Sequence, residues 1–194
     1  MREERTRDGA ASNISAGASK KTYKSAGAQG DSQLEVQTRN ELGAASGAYA
    51  RTMILVDTNV LIDAREQASP YRRWAEEVIA SGLSADGIAL NAIVFAELCV
   101  GQKNPNAVEA DLRARGLLII DVPVVAAALC ARAYTRYLIA RRRSGGRKAS
   151  SVPLPDFFIG AHAELMGWKL ATRDVERYRT YFPAVELIEP AASR

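Results

Sequence analysis

"MILVDTNVLID", residues Met53 to Asp63, decides how the rest of the chain is read. Ile54, Leu55 and Val56 form a short apolar run of the kind that makes a buried strand, and Asp57 ends it. Thr58 and Asn59 follow, and then Val60, Leu61 and Ile62 resume an apolar pattern suited to a helix. An aspartate after a strand is an ordinary helix cap. One followed at once by an apolar helix is expected to be half buried, where a negative charge is costly.

Working outward, short apolar runs alternate with longer amphipathic ones. Strands are expected at 53–56, 87–90, 117–120, 168–171 and 186–188, with helices between them, including Tyr71 to Ile79 and Val124 to Ile139. Ser69-Pro70, Asn104-Pro105, Asp121 to Pro123 and Pro155-Asp156 offer capping side chains or first-turn prolines, and Gly82, Gly101 and Gly167 sit where helices should stop. Parallel strands need crossover connections, so this alternation predicts an α/β fold: a mostly parallel sheet of about five strands with helices on both faces. Ligands gather beyond the carboxyl ends of such strands, which is where Asp57 lies.

The 194 residues carry a formal net charge of +4, and 47% are hydrophobic, enough for one substantial core. Residues 1–52 have scarcely any large apolar side chain and no strand or helix period, so they are expected to be a disordered tail beside a domain spanning 53–194. The charged opening "MREERTRDGAASN" is no secretory signal. Met53, directly before the first strand, is a candidate natural start, which a tryptic peptide from residues 1–50 of the native protein would reject. The longest apolar stretch, Val122 to Ala131, is about half of what a bilayer span needs, so a cytoplasmic, non-membrane protein is expected. Cys99 and Cys130 suit core packing better than a disulfide framework or a thiolate metal site.

Three further acids occupy unusual places. Glu97 is the one ionisable residue of "NAIVFAELCVG" (91–101), on a stripe with Ile93, Ala96 and Val100 that looks too apolar to face solvent. Asp156 opens the helix of "VPLPDFFIGAHAELMG" (152–167), and Gly160 and Ala163 on its face suggest room for something to approach. Asp174 follows the strand of "WKLATRD" (168–174), two residues after Thr172. Each has a plain structural explanation: Asp156 and Asp174 as first-turn acids, Glu97 as a side chain reaching water. Brought together, the four would repel one another, and a divalent cation relieves that conflict. Oxygen-only ligands suit Mg²⁺ or Mn²⁺. His162, the sole histidine, lies on the apolar stripe and is expected to be a packed core residue.

"LVDTNVLID", "AIVFAELCVG" and "LPDFFIGAHAELMGWKLATRD" resemble, in order and spacing, the PIN-domain nucleases, most closely the VapC-type toxins of bacterial toxin-antitoxin pairs. The resemblance covers residues 53 to about 190. It implies a metal-dependent ribonuclease with Asp57, Glu97, Asp156 and Asp174 around Mg²⁺ or Mn²⁺, and Asn59 and Thr172 positioning them. It also implies a homodimer and a cognate antitoxin that blocks the site.

From residue 53 onward, 18 Lys and Arg face 16 Asp and Glu, a near balance, so overall charge says little about RNA. The distribution says more: Arg141, Arg142, Arg143, Arg147 and Lys148 fall within "ARRRSGGRKASS" (140–151), which leads into the helix of Asp156. Such a loop suits a phosphate backbone, while its first three arginines also complement a helix C-terminus. Arg173 is a further RNA-contact candidate, with surface ion pairing as its plain alternative. Tyr134, Tyr137 and Leu138 serve either a dimer face or the core. Against the nuclease stand a catalytically silent RNA-binding or scaffolding module and a nucleotide-binding doubly wound domain; the latter lacks a glycine-rich turn after the first strand.

Overall fold

A computed structural model describes residues 53–145 and 154–191. The tail at 1–52 and the loop positions Arg147 and Lys148 lie outside the described residues. Within them the chain runs β1 (Ile54–Val56), α1 (Thr58–Arg65), α2 (Arg72–Ser81), β2 (Ile88–Asn91), α3 (Ala92–Cys99), α4 (Pro105–Ala114), β3 (Leu118–Ile120), α5 (Ala126–Arg143), α6 (Pro155–Met166), β4 (Lys169–Ala171), α7 (Val175–Tyr181) and β5 (Leu187–Ile188). Every strand begins and ends within one residue of its expected place.

The five strands form one sheet in the order β3-β2-β1-β4-β5, and every pairing is parallel. β1 is central and wholly buried, and Leu55 and Val56 expose nothing to solvent. Such burial on both faces explains the unbroken apolar reading of its sequence and is the mark of a sheet between helix layers. From β1 the chain steps outward to β2 and β3, then returns to the other side for β4 and β5. The order therefore reverses between β1 and β4, and the crevice beyond their carboxyl ends is where such sheets bind ligands.

Some helix boundaries differ from expectation. Asn104 caps α4 as anticipated, accepting from the Ala107 N–H at 3.3 Å with Pro105 in the first turn. Ser69 does not cap α2: its hydroxyl accepts from Tyr71 N and donates to Asp63, and the helix starts later, at Arg72. α5 likewise begins at Ala126 without a side-chain cap. Gly82 does not stop α2 either. The helix widens there into a π turn, Gly82–Asp86, and the left-handed residue that releases the chain is Gly87 at φ 84°. Gly82 is held in the helix because its bare Cα lies against Ile88, whose Cβ would stand 3.0 Å from any added Cβ. Gly101 and Gly167 take positive φ at their helix ends as expected.

An aromatic group fills the space between α5, α6 and α7. Phe157 stands edge-on to Tyr134 at 5.1 Å and meets Tyr137, Tyr181 and Phe182 within 5.9 Å. Tyr134 and Tyr137 thus serve the core. No helix among the described residues is long and apolar enough to cross a membrane.

Candidate active site

The parallel ladder continues one step beyond β1, where the Asp57 N–H donates to Ala171 O at 3.0 Å. That step sets Asp57 beside Thr172 at the reversal point of the sheet. Asp57 is 5% exposed and Thr172 fully buried. Asp57 Oδ1 accepts from the Thr58 N–H at 2.7 Å, which caps α1. Its Oδ2 accepts from Asn59 Nδ2 and Thr172 Oγ1, both at 2.7 Å, and more distantly from the Tyr178 hydroxyl at 3.4 Å. Thr172 Oγ1 in turn accepts from Asn59 Nδ2 and from the Asp174 N–H, each at 3.1 Å. Asn59 Oδ1 receives the Arg173 N–H at 3.3 Å. A carboxylate, an amide and a hydroxyl therefore lock one another in place.

Burial pushes the Asp57 carboxyl above its ordinary value. Hydrogen bonds from Thr172 and the Thr58 N–H pull the other way, and the negative charge of Glu97 adds to the rise. Glu97 Oε2 receives the Thr58 hydroxyl, so Thr58 joins the two acids. Among the described residues neither acid pairs with a lysine or arginine. The stripe of Glu97 is not buried as expected: Ala96 is exposed and Val100 is 79% exposed. The short helix α3 buries its opposite side through Val94 and Leu98, which leaves Glu97 half-buried at the rim.

Asp156 and Asp174 make a second pair. Arg177, on α7, contacts Asp156 Oδ2 with its Nη1 and reaches Asp174 Oδ2 at 3.5 Å. Tyr178 ties this pair to the first. Its hydroxyl points at Asp57, and its acidity is set by burial above all, then by the nearby charges of Asp57, Arg177 and Asp174. Among the described residues no three carboxylates are gathered tightly enough to hold one ion. The donors are nevertheless of the right kind: all oxygen, one strongly desolvated and without a counter-charge, two within reach of solvent. Donors of that kind suit a hard divalent cation.

The space expected at Gly160, one turn after Asp156, is taken by a ring. A Cβ on Gly160 would fall 2.5 Å from two ring carbons of Phe182, so the glycine admits that ring.

A family model, the PIN domain, matches residues 54–183. The chain belongs to the PIN domain family. The fold is also that of a DNA-bound VapBC from Salmonella typhimurium, with TM-score 0.52 and 20% identity over 71% of this chain and 98% of that one. FitAcB from Neisseria gonorrhoeae matches with TM-score 0.49 and 24% identity, over 73% of this chain and 100% of the other. VapBC2 from Rickettsia felis, bound to a promoter DNA fragment, matches with TM-score 0.48 and 22% identity, over 71% and 98%. No curated protein matches the chain.

Of the basic candidates in this PIN domain, Arg173 is committed to structure. Its Nη1 donates to Asp63 Oδ1 at 2.8 Å, and its guanidinium lies 5.4 Å from the centre of the Tyr71 ring. Asp63 is 3% exposed, and its other oxygen has no hydrogen-bond partner among the described residues. Arg141 donates to the Tyr137 hydroxyl at 3.1 Å, whereas Arg142 and Arg143 are exposed at the end of α5. His162 is packed as expected, 1% exposed, with Trp168 against its ring and the Asn91 amide 3.4 Å from Nδ1; burial lowers it to about 4. Cys130 is buried and pushed up to about 11, while Cys99 is only half-buried.

Sequence reasoning missed Arg177, Tyr178 and Asp63. Asp63 had a signal: it falls three residues after Val60, on the buried side of α1. Tyr178 follows Asp174 by one helical turn, and the same spacing rule reaches Arg177.

Proposed function

We propose that this PIN domain is a metal-dependent endoribonuclease, cutting RNA phosphodiester bonds as the toxin of a toxin-antitoxin pair. One observation carries the reading: Asp57, desolvated at the reversal point of a parallel sheet, is held by four donors and next to a second acid, yet among the described residues it has no cationic partner. A group so costly to bury and so carefully oriented suits a ligand that brings positive charge.

Asp57, Glu97, Asp156 and Asp174 would hold Mg²⁺ or Mn²⁺. A bound divalent ion lowers the pKa of an attacking water and neutralises charge on the reacting phosphate. The chain's own part is positional. Asn59 and Thr172 fix Oδ2 of Asp57, Thr58 orients Asp57 and Glu97 together, and Tyr178 closes the buried side against water. Arg142, Arg143, Arg147 and Lys148 are the candidates for holding the RNA backbone; Arg141 and Arg173 would contribute only from their present structural contacts. An antitoxin partner, a homodimer and a cytoplasmic setting follow from the same reading. The likeness in fold to the VapBC of Salmonella typhimurium supports it.

The test is cleavage of labelled RNA by the full chain with Mn²⁺ or with EDTA, beside Asp57→Asn and Asp156→Asn. Each variant is expected to lose about 10²-fold or more, the scale of other electrostatic contacts to a transition state. Cleavage that persists in EDTA refutes the mechanism. A silent RNA-binding module, the reading favoured by Arg177 already neutralising Asp156, would bind the RNA tightly and leave it uncut.

A further inference from the structure

We propose that Arg177 is a resident counter-cation, holding Asp156 and Asp174 when no divalent ion is bound, so that an ion gains those two carboxylates only by displacing it. The inference rests on the reading of Asp156 and Asp174 as metal ligands.

Its basis is one guanidinium bridging two acids from different helices. Arg177 Nη1 contacts Asp156 Oδ2 at the start of α6 and stands 3.5 Å from Asp174 Oδ2 at the start of α7. The neighbouring arginines have other employment: Arg173 pairs with Asp63, and Arg179 with Glu189. Arg177 is thus the cation of this stretch that is aimed at the acids. Like charges repel steeply at contact distance, so a guanidinium and a divalent ion cannot sit together on the same pair of carboxylates. The arrangement is also exchangeable. The Arg177 side chain is 31% exposed, and Asp156 and Asp174 are 27% and 51% exposed. Ion pairs this open to water are weak and screened, and a long side chain anchored on the first turns of α7 has solvent to swing into.

Metal binding is then an exchange of cations, and its apparent affinity carries the cost of releasing Arg177. The consequence is a signed prediction opposite to that for an ordinary supporting residue: removing Arg177 tightens the metal.

Isothermal calorimetry with MnCl₂ on the full chain tests this. Arg177→Gln is expected to bind Mn²⁺ roughly five- to ten-fold more tightly than wild type, the range set by weak, partly exposed pairs. Arg177→Lys keeps the charge and is expected to stay within about two-fold of wild type. Circular dichroism of each variant checks that it is folded. If Asp156→Asn weakens Mn²⁺ binding while folded Arg177→Gln binds no more tightly than wild type, the metal site stands and the counter-cation role falls. If wild type binds no Mn²⁺, or Asp156→Asn binds it as wild type does, both fall together.

Discussion

Replacing Thr172 by Val keeps the outline of the side chain and removes a single oxygen. That oxygen is fully buried, donates to Asp57 Oδ2 at 2.7 Å and accepts from Asn59 Nδ2 and the Asp174 N–H at 3.1 Å. A hydrogen bond to a charged group contributes about 1.5 to 3 kcal/mol, and two donors are left short of an acceptor. The expected loss near neutral pH is therefore about 2 to 3 kcal/mol, or roughly 6 to 12 °C in Tm. The pH dependence distinguishes this from simple misfit. Burial holds the Asp57 carboxyl above its ordinary value, and Thr172 is the strongest influence drawing it down. The native state therefore binds that proton more tightly than the unfolded chain, and its stability falls as pH rises from the ordinary carboxyl range through the native value. Without Thr172 the native value climbs further, so the variant pays most where Asp57 is ionised and least where it is protonated in both proteins. Urea denaturation of both proteins from pH 8 to pH 4 would show a difference that shrinks with acidity. The titration of His162 is common to both and cancels. A gap that is constant, or that widens in acid, would refute the account of Asp57 as a carboxylate held charged by Thr172.

Further outcomes follow from other contacts. Arg173→Ala leaves the buried Asp63 without its cation and should cost about 1 to 3 kcal/mol; adding Asp63→Asn should recover most of it in a double-mutant cycle, and strictly additive losses would deny the pairing. Gly160→Ala gains helix propensity worth about 1 kcal/mol but drives a methyl into Phe182, so a net loss of about 1 to 2 kcal/mol is expected, and a raised melting temperature would contradict the packing described. His162 is lowered to about 4 by burial, so the stability it supplies is complete above its unfolded value of 6.5 and is lost as pH falls towards 4. His162→Leu should flatten that part of the acid profile, and an unchanged slope would place the sensitivity elsewhere.

The strands were legible because a strand buried on both faces must be apolar throughout, as Ile54 to Val56 are, whatever the remainder of the chain does. Asp57 and Thr172 were legible for a related reason: each breaks such a run at the edge where parallel sheets present their ligand sites. Pairings between distant helices were not. Nothing local to "RDVERYRT" indicates that Arg177 meets Asp156 whereas Arg173 meets Asp63, since both depend on how α1, α6 and α7 are packed. Gly160 misled for the same reason. A missing side chain signals that something comes close, and only the packing reveals whether it is a ligand or, as here, the ring of Phe182. Gly82 likewise looked like a helix stop, but its small size serves contact with Ile88, and the reversal of the chain falls to Gly87.

The bond from Thr172 to Asp57 joins residues 115 positions apart, and Tyr178 reaches Asp57 across 121. During translation, then, Asp57 emerges together with Thr58 and Asn59 but long before Thr172 and Tyr178, and no nascent fragment ending before residue 172 can assemble the centre. The site is complete only once β4 and α7 have followed the earlier elements out of the exit tunnel.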